Sequence, residues 1–271
     1  MTVLAPFRLV INVVRRFRSE RYAQTAAALS FATLLGLVPM LVVGAALIEF
    51  LPFGIKLSAA LEQFLLATLL PEKAGEVIAK YLGQFAHRAG RVTWIGLAAL
   101  GVTALLQMLT IERAFDAIWK VRKQRPWLKR LGLHLLTLLL GPLAFGGALA
   151  SITFLATASF GLVDEPRWVR IAFSETLPLV FLALLFSLLY WVLPNRPVSR
   201  WHAGIAGGLA ALAFVGMQRL FALYVVKLPT YTLIYGAFAV VPIFLLWLYL
   251  SWSVILVGAL VTAELPGVAR K

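Results

Sequence analysis

Residues 92–110 read VTWIGLAALGVTALLQMLT, and residues 111–130 continue as IERAFDAIWKVRKQRPWLKR. The first 19 residues hold no charged side chain, and the next 20 hold seven Lys or Arg and two acids. About 20 apolar residues in a helix span the hydrocarbon core of a bilayer. An abrupt change to Lys and Arg marks the end that stays on the cytoplasmic side. The stretch therefore reads as a membrane span running into a basic cytoplasmic loop at 111–130.

The same alternation recurs on both sides of it. Apolar runs occur at 29–51, 131–160, 174–193, 203–226 and 237–262. Together with 92–110 they predict an all-α, polytopic membrane protein of about six spans, with the chain 1–271 forming a single membrane domain. The 131–160 run is too long for a straight span, and Gly141-Pro142 and Gly146-Gly147 invite a kink within it. Pro39, Pro142, Pro178 and Pro242 place a proline in four of the six runs. Gly204 and Gly208 suggest a small-residue packing face at the start of the fifth.

Two segments read differently. In residues 3–21, Phe7, Val10, Ile11, Val14 and Phe17 recur at helical spacing, while Arg8, Asn12, Arg15 and Arg16 fall on another side. That pattern predicts, within a cytoplasmic segment 1–28, an amphipathic helix on the membrane surface rather than a signal peptide, whose apolar core would be uninterrupted. Residues 52–91 form an outer segment. Its first part, 57–70, is apolar but short and carries Glu62, as an interfacial or re-entrant helix would. Its second part sets Val77, Ile78, Tyr81, Leu82 and Phe85 on one face, opposite Glu76, Lys80, Gln84 and Arg88. Sixteen of the 25 basic residues fall on the side of the 111–130 loop and eight on the other. Both termini are therefore expected in the cytoplasm.

Composition agrees. The chain is 62% hydrophobic and only 13% charged, with a mean hydropathy of +0.92. The net charge of +14 is expected to meet anionic lipid at the basic cytoplasmic loops rather than nucleic acid. The sequence has no cysteine, so disulfides, thiolate metal sites and cysteine nucleophiles are excluded. His87, His134 and His202 fall in three different segments with no ligand spacing. No phosphate-binding loop and no serine nucleophile elbow occurs. No metal, no cofactor and no enzymatic activity is expected.

Arg219 is the sharpest candidate for function. It lies inside the fifth run, where a guanidinium costs at least about 2.5 kcal/mol to insert. It is therefore expected to contact an anionic group or to pair with Glu175 or Glu49, with snorkelling to the outer interface as the alternative. Gln218 precedes it, and Tyr231, Tyr235 and Gly236 are expected in an outer loop that re-enters the bundle. On the cytoplasmic side Glu112, Asp116 and Glu264 are further candidates. Glu112 and Asp116 begin the basic loop on an expected continuation of the helix and share a face, expected to be solvated and paired with Arg113 or Lys120.

Several strings resemble one family. Ala26-Ala-Ala-Leu-Ser30-Phe-Ala-Thr-Leu-Leu-Gly-Leu-Val-Pro39, Thr110-Ile-Glu-Arg-Ala-Phe-Asp116-Ala-Ile-Trp119, Leu193-Pro-Asn195-Arg196 and Tyr231-Thr-Leu-Ile-Tyr235-Gly236 are similar to signatures of the YihY/BrkB family. So is Leu246-Trp-Leu-Tyr-Leu-Ser-Trp252 followed by Gly258-Ala259. Two positions depart from the family pattern. Leu260 follows Gly258-Ala259 where an acid is common, the acid coming later as Glu264, and Asp116 stands where Asn is common. The resemblance implies a multi-spanning protein of the bacterial inner membrane, once labelled ribonuclease BN-like.

The function expected from these features is a transporter or flippase-like exporter of a lipid-linked, amphipathic or small organic solute. The alternative is a structural or envelope-assembly protein that transports nothing. A ribonuclease working through the basic loop comes last, since no cluster of metal-binding side chains supports it. A homo-oligomer is compatible with the glycine faces.

Overall fold

The computed structural model describes residues 5–49, 94–121, 126, 128, 130–132, 167–226 and 240–269. The outer segment 52–91, nearly all of the 131–160 run and the positions of Tyr231, Tyr235 and Gly236 lie outside the described residues. Among those described, regular structure is helical and no strand occurs. The elements are α1 (Ala5–Ser19), α2 (Tyr22–Glu49), α3 (Trp94–Ile118), α4 (Arg167–Val192), α5 (Arg200–Val226) and α6 (Val240–Ala269). In lipid every backbone N–H and C=O needs an internal partner, which a continuous helix supplies. Three stretches of described residues, Ala98–Ile118, Arg200–Val225 and Val241–Gly267, are long and apolar enough to cross a membrane, and Pro178–Val192 is a shorter apolar helix.

Two helix ends are closed by basic residues with left-handed backbone, Arg21 (φ 58°) and Lys120 (φ 52°). α3 runs on to Ile118, well past the apolar run that was expected to end at 110. It stops in a Schellman turn, in which Lys120 N donates to Ala117 O (3.1 Å) and Val121 N to Asp116 O (3.0 Å). α3 can continue through its charged residues because Ala114, Phe115 and Ile118 are buried there. Between α1 and α2, Glu20 N donates to Arg16 O and Arg21 N to Arg18 O, so only two residues separate the helices. Pro242 lies in the first turn of α6, where a missing N–H breaks no helical bond. Pro178 and Pro266 lie inside helices.

The chain divides into two compact units, one of residues 1–34, 110–125 and 176–271, the other of 35–109 and 126–175. In the second unit, Gly36 faces the side chain of Gln107, whose Oε1 would lie 3.1 Å from an added Cβ. In the first unit, α6 packs against both α5 and α1. Its core is aromatic. Phe214 meets Phe186 and Trp247 edge-on at 5.8 Å, Phe221 lies 5.0 Å from Trp247, and Phe186 stacks on Tyr190 at 6.3 Å. Such pairs add about 0.5–1.5 kcal/mol each beyond their buried area.

Hydroxyls in this apolar setting are satisfied locally. Ser30, Ser187, Ser251 and Thr262 each donate to the carbonyl four residues back. Tyr190 instead crosses to α6 and donates to Ile255 O at 3.0 Å. It passes over Gly258, where an added Cβ would lie 2.8 Å from its Cζ and 2.9 Å from Ala210 Cβ. Trp252 Nε1 donates to Thr33 Oγ1 of α2 at 2.9 Å.

The glycine contact on α5 differs from expectation. Gly204 and Gly208 face open space, whereas Gly207 is buried against α4, with Ser187 N 2.6 Å and Ser187 Cα 2.8 Å from where its Cβ would be. The register is set by Ala203, Ala206, Gly207, Ala210 and Ala211, all buried, so the packed stripe is one residue out of step with Gly204 and Gly208. Gly207→Ala should therefore destabilise the protein by about 1–3 kcal/mol, the usual cost of overpacking. Gly208→Ala should be neutral or stabilise by up to about 1 kcal/mol through helix propensity. Thermal melts of the two variants in detergent read the difference, and equal effects would contradict this packing.

Candidate functional site

A dense polar cluster lies at one end of the first unit and is built around Arg16. Its position on α1 follows from register. Val13 and Arg16 share the face turned towards α6, and Val13 is only 5% exposed. The Arg16 guanidinium donates to Glu20 through Nε (3.0 Å) and Nη2 (3.1 Å), to Glu264 Oε1 of α6 through Nη1 (2.8 Å), and to Ile118 O at the end of α3 through Nη2 (2.8 Å). Four segments are thus held by one planar, five-donor group, a geometry that lysine cannot reproduce. Tyr22 Oη donates to Glu20 Oε2 at 2.9 Å, and Lys120 Nζ lies 3.4 Å from Glu20 Oε1.

The electrostatics follow from these contacts. Burial pushes the Arg16 pKa down, but hydrogen bonds with Glu20 and Glu264 outweigh it and raise the value above the ordinary one. The Arg16 hydrogen bond lowers the Glu20 carboxyl to about 2 against a burial cost, with help from Tyr22. Both groups are therefore charged throughout the physiological range, and the pair is a fixed tie rather than a proton donor at neutral pH.

A second knot adjoins it. Asp116 Oδ1 accepts a bond from Asn195 N (3.0 Å), in the turn between α4 and α5. Arg196 Nη1 lies 3.5 Å from Trp119 O. Arg200 stands 4.9 Å over the Trp191 ring as a cation–π contact. Trp191, Val192, Pro194, Asn195, Arg196 and Pro197 line a shallow open depression here.

Of the cytoplasmic-face candidates, Glu264 joins the Arg16 cluster, and Asp116 joins the second knot. Glu112 and Asp116 were expected on a solvated face, but both are buried, Glu112 at 1% exposure. The helix continues through them as expected, but its register turns their common face into the unit beside Phe115 and Trp119. Arg219 is exposed on α5 and Gln218 is partly buried. Glu49 and Glu175 lie on α2 and α4, with side chains outside the described residues. Tyr231, Tyr235 and Gly236 are likewise outside them. Among the described residues no group of three His, Asp or Glu side chains is placed to hold a metal ion.

Arg16 and Glu20 were missed as a pair. Their i, i+4 spacing was a readable signal, but the third partner, Glu264, is 248 residues away from Arg16. Tyr190 carried no signal beyond its apolar surroundings.

Comparison with known proteins places this architecture. The sequence matches the family described as "Virulence factor BrkB" over residues 13–271. It is 50% identical over 252 residues to a UPF0761 membrane protein of Aromatoleum aromaticum, covering 93% of this chain and 62% of that protein. It is 43% identical over 266 residues to a UPF0761 membrane protein of Nitrosospira multiformis, covering 98% of this chain and 62% of the relative. The chain thus spans about three fifths of the length of these relatives. No solved structure matches it.

The Arg16 cluster makes stability depend on acid. Because the folded Glu20 carboxyl is lowered from an ordinary 4.5 to about 2, its contribution is complete above the ordinary value and is lost as pH falls towards the lowered one. The melting temperature of the wild type should fall more steeply between those two pH values than that of Glu20→Gln. Parallel pH profiles for the two proteins, followed by tryptophan fluorescence, would remove Glu20 from this role.

Proposed function

This chain belongs to the BrkB family of membrane proteins, and we propose that it is a carrier rather than an enzyme. In this reading it is a transporter or flippase-like exporter of a lipid-linked, amphipathic or small organic anion. It crosses the bacterial inner membrane about six times, with both termini and the Arg16 cluster on the cytoplasmic side.

The observation that supports this reading is the placement of Arg219. It is exposed on α5, inside the apolar stretch Arg200–Val225. Its neighbours on that side, Leu212, Leu220 and Leu223, are also exposed, and Gly216 has open space where a side chain would be. Arg219 is seven residues before the end of α5 at Val226, or about 10 Å at helical rise. A guanidinium at that depth on an apolar face is costly unless it snorkels or meets an anion. A phosphate or carboxylate head group sliding along α5, with its tail left in the bilayer, supplies that partner. The aromatic core between α4, α5 and α6 is filled, so a path on the outer face of α5 suits the structure better than one through that core.

The same filled core favours a second reading, a structural protein of envelope assembly in which the α5 face receives another protein. The two separate in proteoliposomes containing fluorescent phosphatidylglycerol and an impermeant quencher. Wild-type protein should speed the loss of inner-leaflet fluorescence, Arg219→Ala should slow it by at least about tenfold, the value of one charge contact, and Arg219→Lys should retain part of the rate. Wild-type protein that is folded but moves neither this lipid nor smaller organic anions would favour the structural reading. Full activity in Arg219→Ala would remove Arg219 from the mechanism.

A further inference from the structure

We infer that α1 carries a discrete binding site for one anionic phospholipid of the adjoining leaflet. Its acyl region would lie along Val10, Ile11 and Val14, and its phosphate at Arg15, Arg18 and Ser19. This goes beyond the carrier reading and does not depend on it.

The register of α1 sets the lining of the site. The Arg16 contacts fix the rotation of α1, turning Val13 and Arg16 inward. What remains outward is Phe7 (64% exposed), Val10 (58%), Ile11 (47%) and Val14 (51%). Four large apolar residues in one exposed stripe need cover. Val10, Ile11, Val14, Arg15, Arg18 and Ser19 together line a shallow open depression, so the apolar stripe and the basic end are one continuous surface.

Charge decides the chemistry of the cover. α1 contains four arginines and no acid. The charge of Arg16 is met by Glu20 and Glu264. Arg15 donates to the neutral Asn12 Oδ1 at 3.4 Å, and among the described residues neither Arg15 nor Arg18 forms an ion pair. Two guanidiniums and a hydroxyl at the end of an apolar stripe complement a phosphodiester followed by acyl chains.

The depth of α1 also suits a lipid phosphate. Arg16 binds Glu264, near the end of α6, and the last carbonyl of α3. Both helices are apolar enough to span, so the C-terminal end of α1 lies at the level where they leave the hydrocarbon. The second knot ties the α4–α5 turn to the end of the same α3, and that turn is flanked by exposed Trp191 at the end of α4 and Trp201 at the start of α5, the latter 82% exposed. Tryptophan concentrates at the head-group level.

The test uses the full chain in vesicles, with a fluorophore on Val14→Cys, a unique thiol in a cysteine-free sequence. Brominated phosphatidylglycerol and brominated phosphatidylcholine, each diluted into unlabelled lipid, serve as contact quenchers. Phosphatidylglycerol should quench at a mole fraction at least about tenfold lower, as two arginines near an anionic surface would give. Arg15→Gln/Arg18→Gln, both at exposed positions, should abolish the preference with the melting temperature unchanged. Should that variant not fold, the labelled parent alone decides: the preference must weaken as ionic strength rises well above about 0.1 M. Equal quenching by the two lipids, or a preference that survives the double substitution or high salt, overturns the site. So does ready disulfide dimerisation of unlabelled Val14→Cys, which would mean that a second copy of the chain covers this face.

Discussion

A guanidinium largely removed from water needs partners for its donors, and Arg16 finds them in three residues through four hydrogen bonds. Glu20 anchors it to the start of α2, Glu264 to α6, and Ile118 O to the end of α3. Leaving such a charge half-matched costs about 3–5 kcal/mol in a buried setting, so these segments are coupled at that end of the first unit. The rotation of α1, and with it the set of residues α1 exposes, is a consequence of this coupling. Hydrophobic attraction alone fixes rotation weakly in a membrane, because lipid tails are as apolar as the side chains they replace. A directional polar tie and close small-residue contacts do what apolar area cannot.

The close contacts are at Gly207 and Gly258. One brings the backbone of α4 onto α5, and the other admits the Tyr190 ring between α4 and α6. Their effect is to draw α4, α5 and α6 together around Phe186, Phe214, Phe221 and Trp247. Outside that aromatic interior and the polar cluster, the exposed face of α5 carries Arg219, and the exposed face of α1 carries Arg15 and Arg18. Both faces pair an apolar stripe with arginine, the pattern suited to amphipathic anions.

Much of this was legible in the sequence. Apolar length and the charge step after residue 110 gave helices in a membrane, and the strings shared with the BrkB family pointed to the right relatives. The structure explains why some of those strings matter together. Ser30 and Thr33 of the first lie on α2, where Thr33 receives Trp252 of the last. Asp116 of the second accepts from Asn195 of the third. What could not be read was anything fixed by register across helices. The pairing of Arg16 with Glu264 joins residues near opposite ends of the chain, and no local spacing announces it. Glu112 and Asp116 share the expected helix face, but charge at a span end suggests solvent, whereas the register of α3 turns that face inward beside Phe115 and Trp119. Gly204 and Gly208 fit a familiar spacing, yet the helix turns Gly207 to its neighbour.

The tie between α1 and α6 is open to a double-mutant cycle. Unfolding free energies would be measured in detergent for the wild type, Arg16→Gln, Glu264→Gln and the double variant. The expected result is a coupling energy of about 1–3 kcal/mol between the two positions, the range for groups that share a polar network. Losses that simply add, with no coupling, would mean that Arg16 does not hold α1 to α6.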